Sequence, residues 1–141
     1  MFETIIVPRI GETDILGHIT HTSIPGYLEA ARKPIFEIFQ PDLDASKLNL
    51  IIAHLEIDFL CELRHTSEIT IKTRLVRVGR SSFEMIQDLW QRDQKRATAR
   101  AVMVRYDYAA KKSYPISEDI RCQLEAHVAS ADDGSTSDEK E

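Results

Sequence analysis

A single segment of this chain carries an apolar stripe with helical spacing, and that segment constrains the fold more than any other feature. The stripe runs from Ile24 to Phe39 and recurs at the spacing of one helix face. Ser23 is placed to cap the helix, and Pro25 falls in its first turn, where a missing N–H does no harm. Pro34 removes a hydrogen bond from the middle of the pattern, so a kink or break is expected there. The pattern predicts one long central helix.

Strand patterns dominate the rest of the chain. A first strand is expected over residues 2–10. Four further strands are expected after the helix, over residues 51–60, 69–76, 83–91 and 98–108. Turn residues between the later strands predict hairpins, and a short terminal helix is expected after Ser117. This order predicts an α+β fold in which a curved five-stranded antiparallel sheet wraps the helix, with an edge strand that pairs with a second copy.

The composition is that of one globular domain. Apolar residues make up 43% of the 141 residues and charged residues 29%, which supplies enough apolar material for a core. We expect one domain over residues 1–129 and a disordered acidic tail over residues 130–141, where apolar side chains almost vanish. The formal net charge of −5 argues against nucleic acid as the main partner.

The sequence offers no candidate for a membrane span or a secretory signal. No segment approaches the roughly 20 apolar residues that crossing a bilayer requires, and the first residues lack a basic start followed by an apolar run. Cys61 and Cys122 lie far apart, without the paired spacing of a zinc site or a redox motif. We therefore expect a cytoplasmic protein with two reduced thiols.

The densest set of reactive groups lies at residues 12–23, just before the predicted helix. Asp14 brings a carboxylate near the free backbone N–H groups of a helix start, which attract an anion or a polarised carbonyl oxygen. Such a carboxylate can attack the carbonyl or activate a water beside it, and acyl transfer needs these two parts. The alternative is that Asp14 only bonds to local backbone donors in a loop. The residues by themselves leave both interpretations open.

Other chemistries find less support in the sequence. His18 and His21 are spaced to reach one metal with Asp14 or Glu12, but no third histidine completes the set. Loop histidines bonded to the backbone are the simpler interpretation. No Gly-x-Ser-x-Gly elbow is present, and neither cysteine has an evident histidine partner. We expect no metal and no cofactor.

The segment Asp-Ile-Leu-Gly-His-Ile-Thr-His at residues 14–21, followed by Tyr-Leu-Glu-Ala-Ala-Arg at 27–32, resembles a known family. It is similar to the 4-hydroxybenzoyl-CoA thioesterase-like branch of the hotdog-fold acyl-CoA thioesterases. That pattern is an Asp, two residues, Gly-His or Gly-Val, a polar stretch, then Tyr-Leu and a helical Glu-Ala-Arg. The resemblance extends more loosely to residues 78–82, 101–104 and 114–116, and so covers nearly all of residues 2–125.

The resemblance implies a hotdog fold and hydrolysis of an acyl-CoA or acyl-carrier-protein thioester to free acid and thiol. Asp14 matches the family's catalytic carboxylate, a nucleophile or general base, and His21 matches a position whose backbone N–H polarises the thioester carbonyl. In such proteins the site lies between two protomers, which implies a homodimer or a tetramer. The candidates for contact with the substrate are Gly17, His18, Tyr27, Arg80, Ser81 and Ser82.

Two alternatives from other classes stay open. A hotdog hydratase or dehydratase would use His21 and Asp14 as an acid–base pair on a related acyl thioester. A non-catalytic member would bind acyl-CoA without turnover. The Asp-x-x-Gly-His start favours the thioesterase. The acyl group is left open, because it depends on how Tyr27, Ala31 and Ile35 pack.

Overall fold

Two short helices stand where the sequence predicts one long helix. In the computed structural model, which describes residues 1–128, α1 spans Ile24–Ala30 and α2 spans Lys33–Phe39. The prediction of a single long helix is wrong, and the expected break near Pro34 is confirmed. Pro34 has no N–H to donate to the carbonyl of Ala30, so α1 ends there, and the proline falls in the first turn of α2, where it is tolerated.

The start of α1 also differs from the expectation. Ser23 occupies the N-cap position, but its side chain makes no capping hydrogen bond. A 3₁₀ turn over His21–Ser23 precedes the helix, and the N–H of Ile24 donates to the carbonyl of His21. The turn thus supplies an acceptor that a capping side chain would otherwise provide.

The sheet is curled and antiparallel, and only its three central strands form a meander. Its five long strands are β1 (Phe2–Ile6), β2 (Leu50–Phe59), β3 (Ile69–Val78), β4 (Ser82–Gln91) and β5 (Gln94–Asp107). They lie in the order β1-β3-β4-β5-β2, and β6 (Lys112–Ser113) pairs with β5. The sheet is therefore six-stranded rather than five-stranded. A strand of two residues carries no alternation pattern that the sequence could signal.

Two further helices complete the fold. α3 spans Ala45–Leu48, and α4 spans Glu118–Glu125 and packs against β3 and α2. The side chain of Ser117 accepts a hydrogen bond from the N–H of Ile120, so the predicted start of the terminal helix is confirmed. The predicted tail at residues 130–141 lies outside the described residues, and the domain boundary at residue 129 stays a prediction. No helix in the described part of the chain is long and apolar enough to cross a membrane.

The core lies between the inner face of the sheet and the helices α1 and α2. Alternate residues of β3, β4 and β5 are buried on that face, as their period of two requires. The core falls into two apolar clusters, one under α1 and one under α2. Burial of these side chains is the main source of stability, at roughly 1.5–3 kcal/mol for each large apolar residue.

A buried polar group accompanies the two apolar clusters near the helix break. The Arg32 side chain is 4% exposed, and its Nε donates to Gln87 Oε1 at 3.1 Å. Gln87 Nε2 donates to the carbonyl of Leu28 and to Thr73 Oγ1. Burial lowers the pKa of Arg32, since desolvation penalises its charged form. Gln87 is thus the hydrogen-bond partner of the buried Arg32 Nε.

Replacing Gln87 with Leu is expected to lower the free energy of unfolding by about 3 kcal/mol, because a buried guanidinium then loses its partner. Urea denaturation monitored by circular dichroism measures the effect. The double variant Gln87→Leu/Arg32→Met removes the charge together with its partner, so it should be at least as stable as Gln87→Leu alone. If the loss of unfolding free energy in the double variant equalled the sum of the losses in Gln87→Leu and Arg32→Met, the two residues would not be coupled.

Candidate active site

Residues 12–20, between β1 and α1, close on themselves as a hairpin that we call the Asp14 hairpin. The N–H of Thr20 donates to the carbonyl of Glu12 at 2.8 Å, and the N–H of Asp14 donates to the carbonyl of His18 at 2.8 Å. A bridge between residues 13 and 19 lies between these two bonds. Gly17 turns the chain with φ +79°, a left-handed conformation that side chains disfavour. The hairpin holds Asp14 in one backbone conformation.

The two oxygens of the Asp14 carboxylate have different environments. Oδ1 accepts the N–H of Leu16 at 2.8 Å and the N–H of His18 at 3.1 Å. Oδ2 has no hydrogen-bond partner within residues 1–128. The interpretation of Asp14 as a residue that bonds to local donors is confirmed for Oδ1, and Oδ2 is left available for chemistry.

An open groove of about 410 Å³ runs beside Asp14. It brings Asp14 together with His18 and His21, three of the residues that the sequence singles out. The rest of its lining residues are mostly apolar and come from the hairpin, α1, the last residue of β2 and the segment after it: Ile19, Ile24, Phe59, Leu60, Cys61, Glu62 and Leu63. A groove that combines a carboxylate with apolar residues suits a ligand with a polar head and an apolar chain.

Sequence reasoning missed the segment that supports this hairpin. The N–H of Ile19 donates to the carbonyl of Leu63 at 2.7 Å, and His18 forms a bridge with Arg64. Arg64 Nη2 lies 3.5 Å from His18 Nε2. These contacts join positions far apart in the chain, so no local pattern could have indicated them.

The backbone N–H groups of His21 and Thr22 both lack an acceptor within residues 1–128, and of these two residues only His21 lines the groove beside Asp14. His21 begins the 3₁₀ turn, and no acceptor for its N–H is present in the part of the chain that the structure describes. The side chain of His21 is exposed and faces the groove. A carbonyl oxygen placed in the groove can accept from this N–H.

Tyr27 lies elsewhere. Its ring packs in the core under α1, and its hydroxyl donates to Glu12 Oε1 at 2.7 Å. Tyr27 and Glu12 line a separate groove of about 650 Å³ between β1 and α1, and Tyr27 is absent from the lining of the groove beside Asp14. Its predicted contact with substrate stays a prediction.

The hairpin that contains Arg80, Ser81 and Ser82 lies at the far end of the sheet. Asp14 follows β1, whose last residue pairs with Ile69 at the start of β3, whereas Arg80 follows the end of β3. A ten-residue strand spans roughly 30 Å, so one protomer does not bring Arg80 to Asp14. The carbonyl of Arg80 accepts from Arg121 Nη2 at 3.1 Å, and Arg80 itself is exposed.

No group of three or more His, Cys, Asp or Glu side chains within residues 1–128 is arranged to hold a metal ion. The predicted absence of a metal or cofactor stays a prediction, because a ligand set shared between protomers is not tested by one chain. His18 and His21 line the same groove as Asp14, and Arg64 approaches His18 there.

Comparison with known proteins identifies the superfamily of this chain. The chain matches the family model of the thioesterase-like superfamily over residues 8–124. It is 34% identical to a predicted thioesterase from Bacillus stearothermophilus, with a TM-score of 0.88 and coverage of 91% of this chain and 96% of the other. No curated protein sequence matches the chain.

Two further solved structures are similar. A thioesterase from Thermus thermophilus, complexed with coenzyme A and Zn, is 26% identical with a TM-score of 0.80, and the match covers 89% of this chain and 92% of the other. A thioesterase superfamily protein from Jannaschia sp. CCS1 is 18% identical with a TM-score of 0.80, covering 92% and 94%, and supports the fold alone.

Gly17→Ala is expected to lower the free energy of unfolding by about 1–2 kcal/mol, because an added Cβ is strained at φ +79°. Gly26→Ala is the matched control. Gly26 lies inside α1 with no atom within 4 Å of an added Cβ, so the substitution should stabilise by about 0.5–1 kcal/mol. Urea denaturation of both variants measures the difference, and equal effects would contradict the conformational explanation.

Proposed function

Because this chain belongs to the thioesterase-like superfamily, we propose that it hydrolyses acyl thioesters of coenzyme A or of acyl carrier protein. The 4-hydroxybenzoyl-CoA thioesterase-like branch is the proposed subgroup. The main support for this mechanism is that two residues with available groups line one groove. In the Asp14 carboxylate only Oδ1 is hydrogen-bonded, and the backbone N–H of His21 has no acceptor within residues 1–128. The cytoplasmic location stays a prediction.

Asp14 is the proposed catalytic carboxylate. Bonds from Leu16 and His18 hold Oδ1, so Oδ2 is fixed in direction while remaining free to react. Acting as a nucleophile, Oδ2 forms a bond to the thioester carbon as the C–S bond breaks, and water then hydrolyses the acyl anhydride. Acting as a general base, Oδ2 takes a proton from the water that attacks the thioester carbon, and the departing thiolate receives a proton as the C–S bond breaks. Both routes give a free acid and a thiol.

His21 is the proposed source of electrophilic assistance. Its N–H would donate to the thioester oxygen, which becomes negatively charged in the tetrahedral intermediate. His18 lines the same groove and Gly17 precedes it in the hairpin, and both would contact the thioester and the adjoining pantetheine arm. The apolar wall formed by Ile24, Phe59 and Leu63 would take the acyl group.

A homodimer completes the proposed site. β2 is an edge strand whose second edge has no partner within the described residues. Its side chains Leu55 and Phe59 pair across the sheet with buried alanines of β5, yet they are 37% and 55% exposed, so the core face is open along this edge. Pairing of two β2 strands about a two-fold axis is necessarily antiparallel, and it would cover both the edge and the open face.

Antiparallel pairing would also explain the separation of Asp14 from Arg80. The end of β2 borders the groove beside Asp14, while its start lies near the Arg80 hairpin, since Ile51 and Ser82 both pair with Val104. Reversing the partner strand would bring the partner subunit's Arg80 hairpin toward this protomer's Asp14. Arg80, Ser81 and Ser82 are the proposed contacts for the phosphates and pantetheine. A tetramer of two such dimers is also proposed.

Asp14→Asn is expected to lower turnover by roughly a hundredfold, on the scale of general acid–base loss. The amide oxygen of Asn can still accept from Leu16 and His18, so the hairpin should stay folded while the reactive Oδ2 is lost. Thiol release from benzoyl-, short-chain and long-chain acyl-CoA measures the effect. Unchanged turnover would remove Asp14 from the mechanism. Water addition to an enoyl-CoA without thiol release would favour the hydratase.

A heterodimer of Asp14→Asn and Arg80→Ala protomers tests whether the site is shared. If Arg80 serves the partner's Asp14, such a heterodimer has one site with both native residues and one with neither. Purified through two different tags, it should show about half of the wild-type thiol release at low acyl-CoA concentration. If each Arg80 served its own protomer, the activity would not exceed the mean of the two mutant homodimers.

A further inference from the structure

The Asp14 hairpin is joined to α1 by one side-chain hydrogen bond within residues 1–128. Tyr27, in the second turn of α1, donates its hydroxyl to Glu12 Oε1 at 2.7 Å. Tyr27 is 6% exposed, and the bond is partly buried at the groove of about 650 Å³ that Tyr27 and Glu12 both line. Glu12 stands at the base of the hairpin, two residues before Asp14.

Glu12 is held from several directions. Its Oε1 also accepts the N–H of Arg9 at 2.8 Å, and its Oε2 lies 3.3 Å from Arg9 Nη2. Its carbonyl accepts the N–H of Thr20, which closes the other strand of the hairpin. Glu12 therefore ties both strands of the hairpin to Arg9, in the segment after β1, and through Tyr27 to α1.

The charges of this pair agree with the geometry. Burial and the adjacent Glu12 carboxylate raise the pKa of Tyr27, because both disfavour a phenolate. The Tyr27 hydroxyl and the Arg9 N–H lower the pKa of Glu12, because both donate to its ionised form. Near neutral pH a neutral phenol thus donates to a carboxylate, which makes the bond charge-assisted and strong.

We propose that Glu12 and Tyr27 are a positioning pair that sets the Asp14 carboxylate relative to the N–H of His21. Asp14 belongs to the hairpin and His21 to the turn that begins α1, so a bond between hairpin and helix fixes their separation. Neither Glu12 nor Tyr27 lines the groove beside Asp14. The pair therefore acts on the rate of the chemical step rather than on substrate binding, because small misplacements of reacting groups are costly. This inference rests on the proposed thioesterase function.

Tyr27→Phe keeps the packed ring and removes the donor. The expected result is a kcat for acyl-CoA hydrolysis lower by about tenfold, with KM within about twofold of the wild type. Combined with Asp14→Asn, Tyr27→Phe should cause no further loss, because the positioned group is then already absent. If Tyr27→Phe only destabilised the fold, it would lower the activity both in the wild-type protein and in Asp14→Asn.

Variants of Glu12 test the pair independently of Tyr27. Both Tyr27 and the Arg9 N–H bond to the same oxygen, Oε1, so the amide oxygen of Glu12→Gln can accept both. Glu12→Gln should retain most of the wild-type kcat, whereas Glu12→Ala should lose it as Tyr27→Phe does. This comparison also carries the test if Tyr27→Phe does not fold.

Thr98→Val is the matched control. It deletes another hydroxyl-to-carboxylate bond, from Thr98 Oγ1 to Asp88 at 2.6 Å, on the opposite face of the sheet from the core. Its kcat should equal that of the wild type even if its melting temperature falls as much as that of Tyr27→Phe. A Tyr27→Phe kcat no lower than that of Thr98→Val would overturn the positioning role, while a collapse of Asp14→Asn would still support the proposed function. Full turnover by Asp14→Asn would overturn both.

Discussion

The burial of α1 and α2 against the inner face of the sheet is the interaction on which the rest of the structure depends. Every second residue of β3, β4 and β5 is directed into this layer, and the inward positions of β5 include Ala97, Ala99 and Ala101. Small side chains allow the helices to approach the sheet closely. Because α1 is fixed by this packing, its first turn is a firm reference point against which the preceding hairpin can be placed.

The Asp14 hairpin combines local and distant restraints. Within it, the backbone bonds and the positive φ of Gly17 determine the direction of the carboxylate. Outside it, the bond from Ile19 to Leu63 and the bond from Tyr27 to Glu12 determine where the hairpin stands. Both kinds of restraint are needed, because a well-formed turn in the wrong place cannot align a nucleophile with a carbonyl.

The unpaired edge of β2 affects both the stability of the chain and its proposed chemistry. Apolar side chains on the core face of this strand stay exposed, and the Arg80 hairpin is remote from Asp14 in one protomer. Pairing with a second copy through β2 would cover the exposed apolar side chains, and it would bring the partner's Arg80 toward Asp14. The same edge that is unfavourable for an isolated chain would then become the means of completing the binding site.

The sequence by itself determined the five long strands, the hairpins between the later strands, the helix break near Pro34 and the loop that carries Asp14. Each depends on local rules: the period of apolar residues, the missing N–H of proline and the turn chemistry of Asp and Gly. A thioesterase-like family was also apparent from its motif, and the superfamily match agrees with it. Only the tertiary structure decided that β2 lies beside β5 at the edge of the sheet, and that Tyr27 bonds to Glu12 away from the groove. These outcomes depend on contacts between residues distant in the chain, and side-chain direction is determined by packing rather than by sequence position.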